Sequence, residues 1–367
     1  MTKAIAAATA AAGVPTTSGN TVFLPAGAYC ISSPGLTLQS GVTLAGTGWN
    51  RPGSMSKSNF LDGSWIITPA NATFSPVTIA GDGAAVRNVA FAVQGQGATS
   101  GPPPADNPTI LVNRANCPLI EDIMLYNPYG GIYLNNSAQA VLRRIFGQPL
   151  QYGIKIDGSQ DTNCVESVHF WPFWQTSGAL ANYQQEEGIG IDLRRCDNPH
   201  LSNIFVFNYN TGLNLAESPL SLEPGQTPHK VHLTNADFDN CVTGINIDAQ
   251  GTAENLASIQ LANVTTQAPP AGPKLAGSGI MVTPRATYAV IQASNLRVSQ
   301  SIERCIDIEA EGAQFFGENV MLQDWHGDVG FFLGPKAFAY LGIGFVTFPQ
   351  SGTGTGGDGQ FTFAASK

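Results

Sequence analysis

Two pairs of carboxylates are the side chains in this sequence best suited to acid–base chemistry. Glu186 and Glu187 are adjacent, whereas Asp237 and Asp239 are separated by one residue. Two carboxyl groups acting together can supply the general acid and the general base that cleave a glycosidic bond. The acid needs a raised pKa, which apolar neighbours such as Trp171 would give it. We therefore expect these four carboxylates to include the catalytic residues.

Aromatic side chains occur in the same part of the sequence, and aromatic rings stack on the faces of sugar rings. The longest insertion, residues 169–188, contributes several of them, and long loops on a rigid scaffold often carry function. The predicted substrate-binding residues are His169, Trp171, Trp174, Tyr183, Phe205 and Phe207. These rings belong to a predicted outward stripe that also includes Met124, Tyr126 and Phe146. A second interpretation stays open, in which this stripe is buried between the subunits of a trimer.

The elements that would position these side chains follow from a repeated pattern. Gly or Cys, followed by apolar residues at alternate positions, recurs at Gly131, Gly153, Gly190, Gly212, Gly244, Gly279 and Cys305. The intervals are never shorter than 22 residues, as in a solenoid with loops inserted between fixed strands. Because the alternation has a period of two, the pattern predicts strands.

A second repeat marks one turn of each coil. Asn, or a polar residue in its place, precedes the same apolar alternation at Asn88, Asp122, Arg144, Ser167, Asn203, Asn235, Asn263, Asn295 and Asn319. Asn tolerates the left-handed backbone conformation, and its amide can bond to the same position one coil away. We therefore predict an all-β protein, a single-stranded parallel β-helix of about ten coils.

The expected domain boundaries place this β-helix at residues 17–350, with a Gly-rich tail at 351–367. The Ala-rich start at residues 1–16 has two interpretations, a signal peptide or a short capping helix. Its apolar stretch is almost pure alanine, which is weakly hydrophobic and the best helix former. We therefore favour the capping helix.

Composition excludes several partners. Only 12% of residues are charged, the net charge is −9 and the pI is about 4.9, which argues against nucleic acid and anionic membranes. The sequence has no run of 18 apolar residues, so no membrane span is expected. The six cysteines lack C-x-x-C pairing, and we expect buried free thiols and neither a metal nor a cofactor.

The segment SGNTVFLPAGAYCISSPGLTLQSGVTLAGTG, residues 18–48, resembles the opening of the pectate-lyase-like right-handed β-helix superfamily. The resemblance covers the N-terminal fifth closely and the remaining coils only in pattern. It implies a right-handed β-helix related to polysaccharide lyases and hydrolases, and above all to bacteriophage tailspike depolymerases, which are homotrimers. The motif specifies the fold strongly and the reaction weakly.

The polygalacturonases of this superfamily carry an Asp pair directly before Cys-Ile-x-Ile, and this sequence departs from that pattern. Glu186-Glu187 precedes a Gly-Ile repeat, and Glu303-Arg304 precedes Cys305. Neither is the Asp pair, so the polygalacturonase mechanism cannot be carried over.

The sequence and the resemblance together predict a polysaccharide depolymerase. We expect a glycoside hydrolase that degrades a bacterial surface or capsular glycan, as a homotrimeric phage tailspike, located in the virion or outside the cell. One alternative is a lyase acting on a uronic-acid polymer, for which Lys155, Arg194 and Arg285 are available. The other is a spike or adhesin that binds glycan without cleaving it.

Overall fold

The computed structural model describes Lys3 and residues 20–50, 62–69, 72–94, 107–172, 177–219, 226–252, 256–269, 277–348 and 353–364. The chain divides into two compact units, which we call the N-terminal unit (Met1–Tyr183) and the C-terminal unit (Gln184–Lys367). The predicted capping helix at residues 1–16 lies, except for Lys3, outside the described residues.

The N-terminal unit is built from parallel strands. They are β1 (Thr21–Leu24), β2 (Gly27–Cys30), β3 (Leu36–Leu38), β4 (Thr43–Gly46), β5 (Ser64–Thr68), β6 (Val77–Ile79), β7 (Ala85–Val93), β8 (Pro108–Asn113), β9 (Leu119–Tyr126), β10 (Gly130–Asn135), β11 (Val141–Gly147), β12 (Tyr152–Asp157) and β13 (Cys164–Phe170). One sheet has the order β1-β4-β7-β9-β11-β13, with β5 joining β2 to β7, and the other has the order β3-β6-β8-β10-β12. From β5 onward, consecutive strands of this unit alternate between the two sheets, as in a parallel β-helix.

The helix α1 (Ala179–Glu187) precedes the strands of the C-terminal unit. These are β14 (Ile189–Leu193), β15 (His200–Phe207), β16 (Thr211–Ala216), β17 (Val231–Asp239), β18 (Thr243–Asp248), β19 (Ser258–Gln267), β20 (Ile280–Val282), β21 (Val290–Ser299), β22 (Ile306–Ile308), β23 (Gln314–Gln323), β24 (Val329–Leu333), β25 (Phe338–Leu341), β26 (Val346–Phe348), β27 (Thr353–Gly357) and β28 (Gln360–Phe363). One sheet runs β15-β17-β19-β21-β23-β25-β28, and the other runs β14-β16-β18-β20-β22-β24-β27. Helices in the described part of the chain are too short or too polar to cross a bilayer.

A residue with left-handed backbone divides each long strand, at the turn that the sequence predicted. All nine positions of the second repeat have φ between 50° and 58°. In the C-terminal unit the Nδ2 of Asn263 donates to Oδ1 of Asn235 at 3.1 Å, and the Nδ2 of Asn295 donates to Oδ1 of Asn263 at 2.9 Å. The predicted amide ladder is confirmed. We call the left-handed residue that divides each long strand its corner residue.

Three faces of the C-terminal unit are defined by these corners. The first face is the part of β15, β17, β19, β21 and β23 before the corner residue, together with β25. The second face is the part of the same five strands after the corner residue. The third face is the sheet that begins with β14. On the first two faces alternate side chains point inward, and Leu233, Ala236 and Phe238 on β17 are buried.

The glycines of the first repeat allow adjacent coils to approach closely. A Cβ atom added to Gly244 would lie 2.6 Å from the carbonyl oxygen of Gly279 on the next coil. It would also lie 2.6 Å from Cγ2 of Thr266, which is buried. Backbone atoms cannot move aside as a flexible side chain can, so the close packing requires glycine here.

The segment predicted as a Gly-rich tail is in part regular structure. β27 pairs in parallel with β24, and β28 pairs in parallel with β25. Residues 353–363 therefore extend both sheets of the C-terminal unit, because their threonines and phenylalanines complete a further coil despite the glycines between them.

The expectation of buried thiols is correct for half of the cysteines. All six are free, and Cys196, Cys241 and Cys305 are buried. Cys30, Cys117 and Cys164 are exposed, so for these three the expectation was wrong. Two of them lie at strand ends, where the side chain points outward.

Candidate functional site

Asp237 and Asp239 lie on the second face of the C-terminal unit, at the end of β17. Their side chains are partly buried and point outward, on either side of the inward Phe238. The parallel register places Phe205 of β15 beside Asp237 and Phe207 beside Asp239. The two predicted catalytic aspartates and two of the predicted aromatic ligands thus lie side by side on neighbouring strands.

Burial raises the pKa of both aspartates. The pKa of Asp237 is raised above its usual value, first by burial and then by the negative charge of Asp239, against an opposing effect of Arg297. The pKa of Asp239 is also raised by burial, although a hydrogen bond from the backbone N–H of Asn240 works against it. Burial disfavours the charged form of a carboxyl group, and a second carboxylate nearby disfavours it further, and both causes act on Asp237.

The same ladder continues over the next two coils with polar side chains. Asp237 is paired in register with Thr265, and Thr265 with Arg297. Arg297 is exposed, and its Nη2 donates to Oε1 of Gln323 at 3.3 Å. A molecule bound along this face would therefore meet the phenylalanine rings of β15 and then the carboxyl groups of β17. Beyond them it would meet the hydroxyl group of Thr265 and the guanidinium group of Arg297.

Glu186 and Glu187 are the last two residues of α1, and both side chains are exposed. The preceding residue, Gln185, donates from Nε2 to Oδ1 of Asn208 at 3.1 Å. Asn208 directly follows Phe207, so the end of α1 lies beside the end of β15. The two glutamates are thus near the second face without belonging to its ladder.

Three of the predicted aromatic ligands belong to the N-terminal unit. His169 is partly buried on β13, with its ring centroid 6.2 Å from that of Phe146, and Trp171 follows the same strand. Tyr183 donates its hydroxyl hydrogen to Oε1 of Gln151. Trp174 lies outside the described residues.

The predicted outward stripe of the N-terminal unit is shorter than expected. Met124 and Tyr126 are 1% and 8% exposed, because they pack in a cluster with Trp65 and with the partly buried Trp49 and Phe146. The indole N–H of Trp49 donates to the carbonyl oxygen of Asp122 at 2.8 Å, which fixes the ring over this face. Residues far back in the sequence cover these positions, so the local strand pattern could not reveal their burial.

A groove on the first face of the C-terminal unit was missed by the sequence reasoning. It has a volume of about 530 Å³, and its lining includes His232, Gln260, Gln292, Phe316 and Tyr340. These residues occupy equivalent positions on β17, β19, β21, β23 and β25. The sequence did contain the information that predicts this groove. The parallel register that aligns the residues after each corner residue also aligns the residues before it.

A second, polar pocket brings together two of the three basic residues considered for a lyase. Arg194 and Arg285 line a pocket of about 360 Å³ with Asn214, Glu217 and Asp248. Arg285 makes ion pairs at 2.9 Å with Glu217 and at 3.2 Å with Asp248. The third basic residue, Lys155, lies in the N-terminal unit, 5.0 Å from the centroid of the Tyr133 ring.

The described residues contain no group of three or more His, Cys, Asp or Glu side chains arranged to hold a metal ion. The second face and the two pockets offer a ligand carboxyl, amide, guanidinium and aromatic groups.

The sequence profile of the family described as rhamnogalacturonase A/epimerase, pectate lyase-like, matches residues 1–268. This match spans most of the chain. The chain belongs to this pectate lyase-like family. The predicted all-β, right-handed parallel β-helix is thereby confirmed, together with the strand pairing described above. No curated protein sequence matches the chain.

The chain is similar to solved structures from several sources. The catalytic domain of a GH87 α-1,3-glucanase, solved with nigerose, is 13% identical with a TM-score of 0.50, and the match covers 96% of this chain and 64% of that one. Gene product 12 of bacteriophage phi29 is 12% identical with a TM-score of 0.50, covering 90% and 53%. The A-module of the Azotobacter vinelandii mannuronan C-5 epimerase AlgE4 is 14% identical with a TM-score of 0.46, covering 100% and 92%. For the two structures with a TM-score of 0.50, the likeness at these identities concerns the fold alone.

Proposed function

We propose that this protein is a polysaccharide depolymerase that hydrolyses glycosidic bonds at the second face of the C-terminal unit. The observation that carries the proposal is the pair Asp237 and Asp239, two partly buried carboxyl groups with raised pKa values beside Phe205 and Phe207. Membership of a pectate lyase-like family supports action on a polysaccharide.

In this proposal Asp237 is the general acid, because both burial and the negative charge of Asp239 raise its pKa. It donates the proton to the glycosidic oxygen as the bond from that oxygen to the anomeric carbon breaks. Asp239 acts as the general base, which takes a proton from the water molecule whose oxygen forms the new bond to the anomeric carbon. Phe205 and Phe207 stack on adjacent sugar rings and hold the chain in place.

The two glutamates at the end of α1 remain candidates for the same chemistry. Their side chains are exposed beside the end of β15, so a substrate lying over Phe207 would reach them. Within the N-terminal unit by itself, His169, Trp171, Trp174 and Tyr183 stay proposed ligands of a glycan.

The expected substrate is a bacterial surface or capsular glycan, and the expected setting is a phage tail or the cell exterior. The structural likeness to gene product 12 of phage phi29 and to a glucanase solved with nigerose is compatible with this setting. We further propose that the working form is a homotrimer.

The test incubates the purified chain with capsular polysaccharide and lipopolysaccharide from a panel of bacterial strains. Products are sized by chromatography, and new reducing ends are counted. On the substrate found, Asp237→Asn and Asp239→Asn should each lower kcat by about 100-fold or more. Glu186→Gln and Glu187→Gln measure the contribution of α1, and Asp358→Asn on the last coil is the matched control. Full activity in all four carboxylate variants would refute the site.

A lyase acting on a uronic-acid polymer is the second candidate, favoured by the meeting of Arg194 and Arg285 in one pocket. Guanidinium groups pair with sugar carboxylates in bidentate fashion. A lyase would release an unsaturated product that absorbs in the ultraviolet, and Arg285→Ala would weaken its action. New reducing ends without this absorbance select the hydrolase. Binding to one of the glycans with no cleavage would identify a spike that holds glycan without cutting it.

A further inference from the structure

The first-face groove of the C-terminal unit has a lining that repeats from coil to coil. Gln260, Gln292, Phe316 and Tyr340 follow one another in register on β19, β21, β23 and β25. Adjacent coils of a parallel β-sheet are about 4.8 Å apart, so the groove offers a contact at regular, short intervals. A polymer with a short repeating unit fits such a surface.

The chemistry of the lining is divided between amide groups and rings. Gln260 and Gln292 are exposed, and within the described residues their amide groups form no hydrogen bond. Each amide has donors and an acceptor to offer a hydroxyl group. Phe316 is partly buried and held by Phe338, with ring centroids 6.0 Å apart, while Tyr340 is 37% exposed.

The charge of the groove narrows the class of ligand. Glu318 lines it beside Phe316, and no Lys or Arg belongs to the lining as the structure describes it. An acidic sugar would be repelled by Glu318 and would meet no Lys or Arg side chain, since His232 is the one basic side chain of the described lining. The polar pocket differs in this respect, because the guanidinium groups of Arg194 and Arg285 belong to its lining.

We propose that the first-face groove is a binding site for an uncharged glycan, separate from the carboxylates of the second face. Tyr340 and Phe316 stack on sugar rings, while Gln260, Gln292 and Glu318 bond to hydroxyl groups. The site extends the proposed function, since it would hold the substrate or a neighbouring glycan. It does not depend on Asp237 or Asp239, so each proposal can fail without the other.

The experiment uses the full chain carrying Asp237→Asn and Asp239→Asn, so that cleavage cannot remove the probe. Affinity gel electrophoresis and calorimetry measure binding to dextran, pullulan, laminarin and galactomannan as uncharged probes, and to polygalacturonate and alginate as anionic ones. We expect at least one uncharged probe to bind, with an affinity that does not change with ionic strength. Adding Phe316→Ala and Tyr340→Ala should weaken that affinity about tenfold or more.

Two controls keep the result interpretable. Phe348→Ala removes an exposed ring outside the groove and should leave the affinity unchanged. Gln260→Ala and Gln292→Ala change only exposed side chains, so they test the groove even if the double aromatic variant does not fold.

Three results would overturn the proposal. They are no binding of any uncharged probe, tighter binding of an anionic probe at the groove, and groove variants that keep full affinity for the glycan. A change of oligomeric mass in the groove variants without a change in affinity would likewise identify the groove as a contact between copies of this chain.

Discussion

At the scale of residues, Asp237 and Asp239 show how a solenoid can shift the pKa of a carboxyl group without a deep cavity. Their neighbours on β17 point inward, and the register places Phe205 and Phe207 beside them on the preceding strand. The result is partial burial on an outward face, which raises the pKa of both groups. The sequence suggested this pair because one residue separates two positions on the same strand face.

The raised pKa values predict how stability depends on pH. A group whose pKa is higher in the folded state stabilises the fold fully at acidic pH and loses this contribution as pH rises through the folded pKa. As pH rises above about 4, the free energy of unfolding should therefore fall less in Asp237→Asn than in the parent chain. Urea unfolding at a series of pH values measures this. Thr265→Ser, a change without charge on the next coil, should follow the parent. If the free energy of unfolding changed with pH in the same way in Asp237→Asn and in the parent chain, the raised pKa of Asp237 would be contradicted.

At the scale of elements, the corner residues determine where each long strand turns. Asn263 has φ of 56°, donates one side-chain hydrogen bond to Asn235 and accepts one from Asn295. The left-handed conformation and the hydrogen-bonded ladder contribute separately to the free energy of unfolding. Glycine can adopt the left-handed conformation but has no side chain to join the ladder.

Asn263→Gly should lower the free energy of unfolding by about 1–2 kcal/mol, since two hydrogen bonds are lost. Asn263→Ala should lower it by about 1 kcal/mol more, since alanine also resists the left-handed backbone. Urea unfolding of both variants measures the two contributions. Equal loss in the two would show that backbone conformation contributes nothing at this corner.

Close approach of the coils gives a further prediction for the third face. Gly244→Ala would press a methyl group against the carbonyl oxygen of Gly279, and we expect a loss of about 2–3 kcal/mol in the free energy of unfolding. Gly354→Ala is the matched control, because its added Cβ would first meet the Thr347 side chain, at 3.1 Å. Thermal unfolding followed by circular dichroism compares them. An unchanged midpoint for Gly244→Ala would mean that the coils can separate at little cost.

At the scale of the whole molecule, oligomeric state is the main open prediction. The stripe that suggested a trimer is shortened by the burial of Met124 and Tyr126. Other apolar side chains are exposed in the C-terminal unit, among them Ile343, Phe348 and Phe363. Exposed apolar surface of this kind favours association.

We expect light scattering at micromolar concentration to report three chains of 38.5 kDa each. Three copies around a threefold axis would bury apolar stripes and shield exposed strand edges. A stable species with the mass of one chain would contradict the trimer and would leave Phe205 and Phe207 available to a glycan.

The sequence by itself determined the features that depend on local geometry. Left-handed corners need Asn or a polar substitute, close coils need glycine, and strands with one face buried need alternation. Each requirement acts on a few consecutive residues, so the repeats reveal the β-helix, its corners and the register that places Phe205 beside Asp237.

Only the tertiary structure decided which outward positions are accessible. Trp49 and Trp65 cover Met124 and Tyr126 from much earlier in the sequence, and residues 353–363 complete a coil that their composition conceals. The first-face groove likewise forms from five strands spread over more than one hundred residues. Burial and cavity shape depend on contacts between distant segments, and a local pattern carries no information about them.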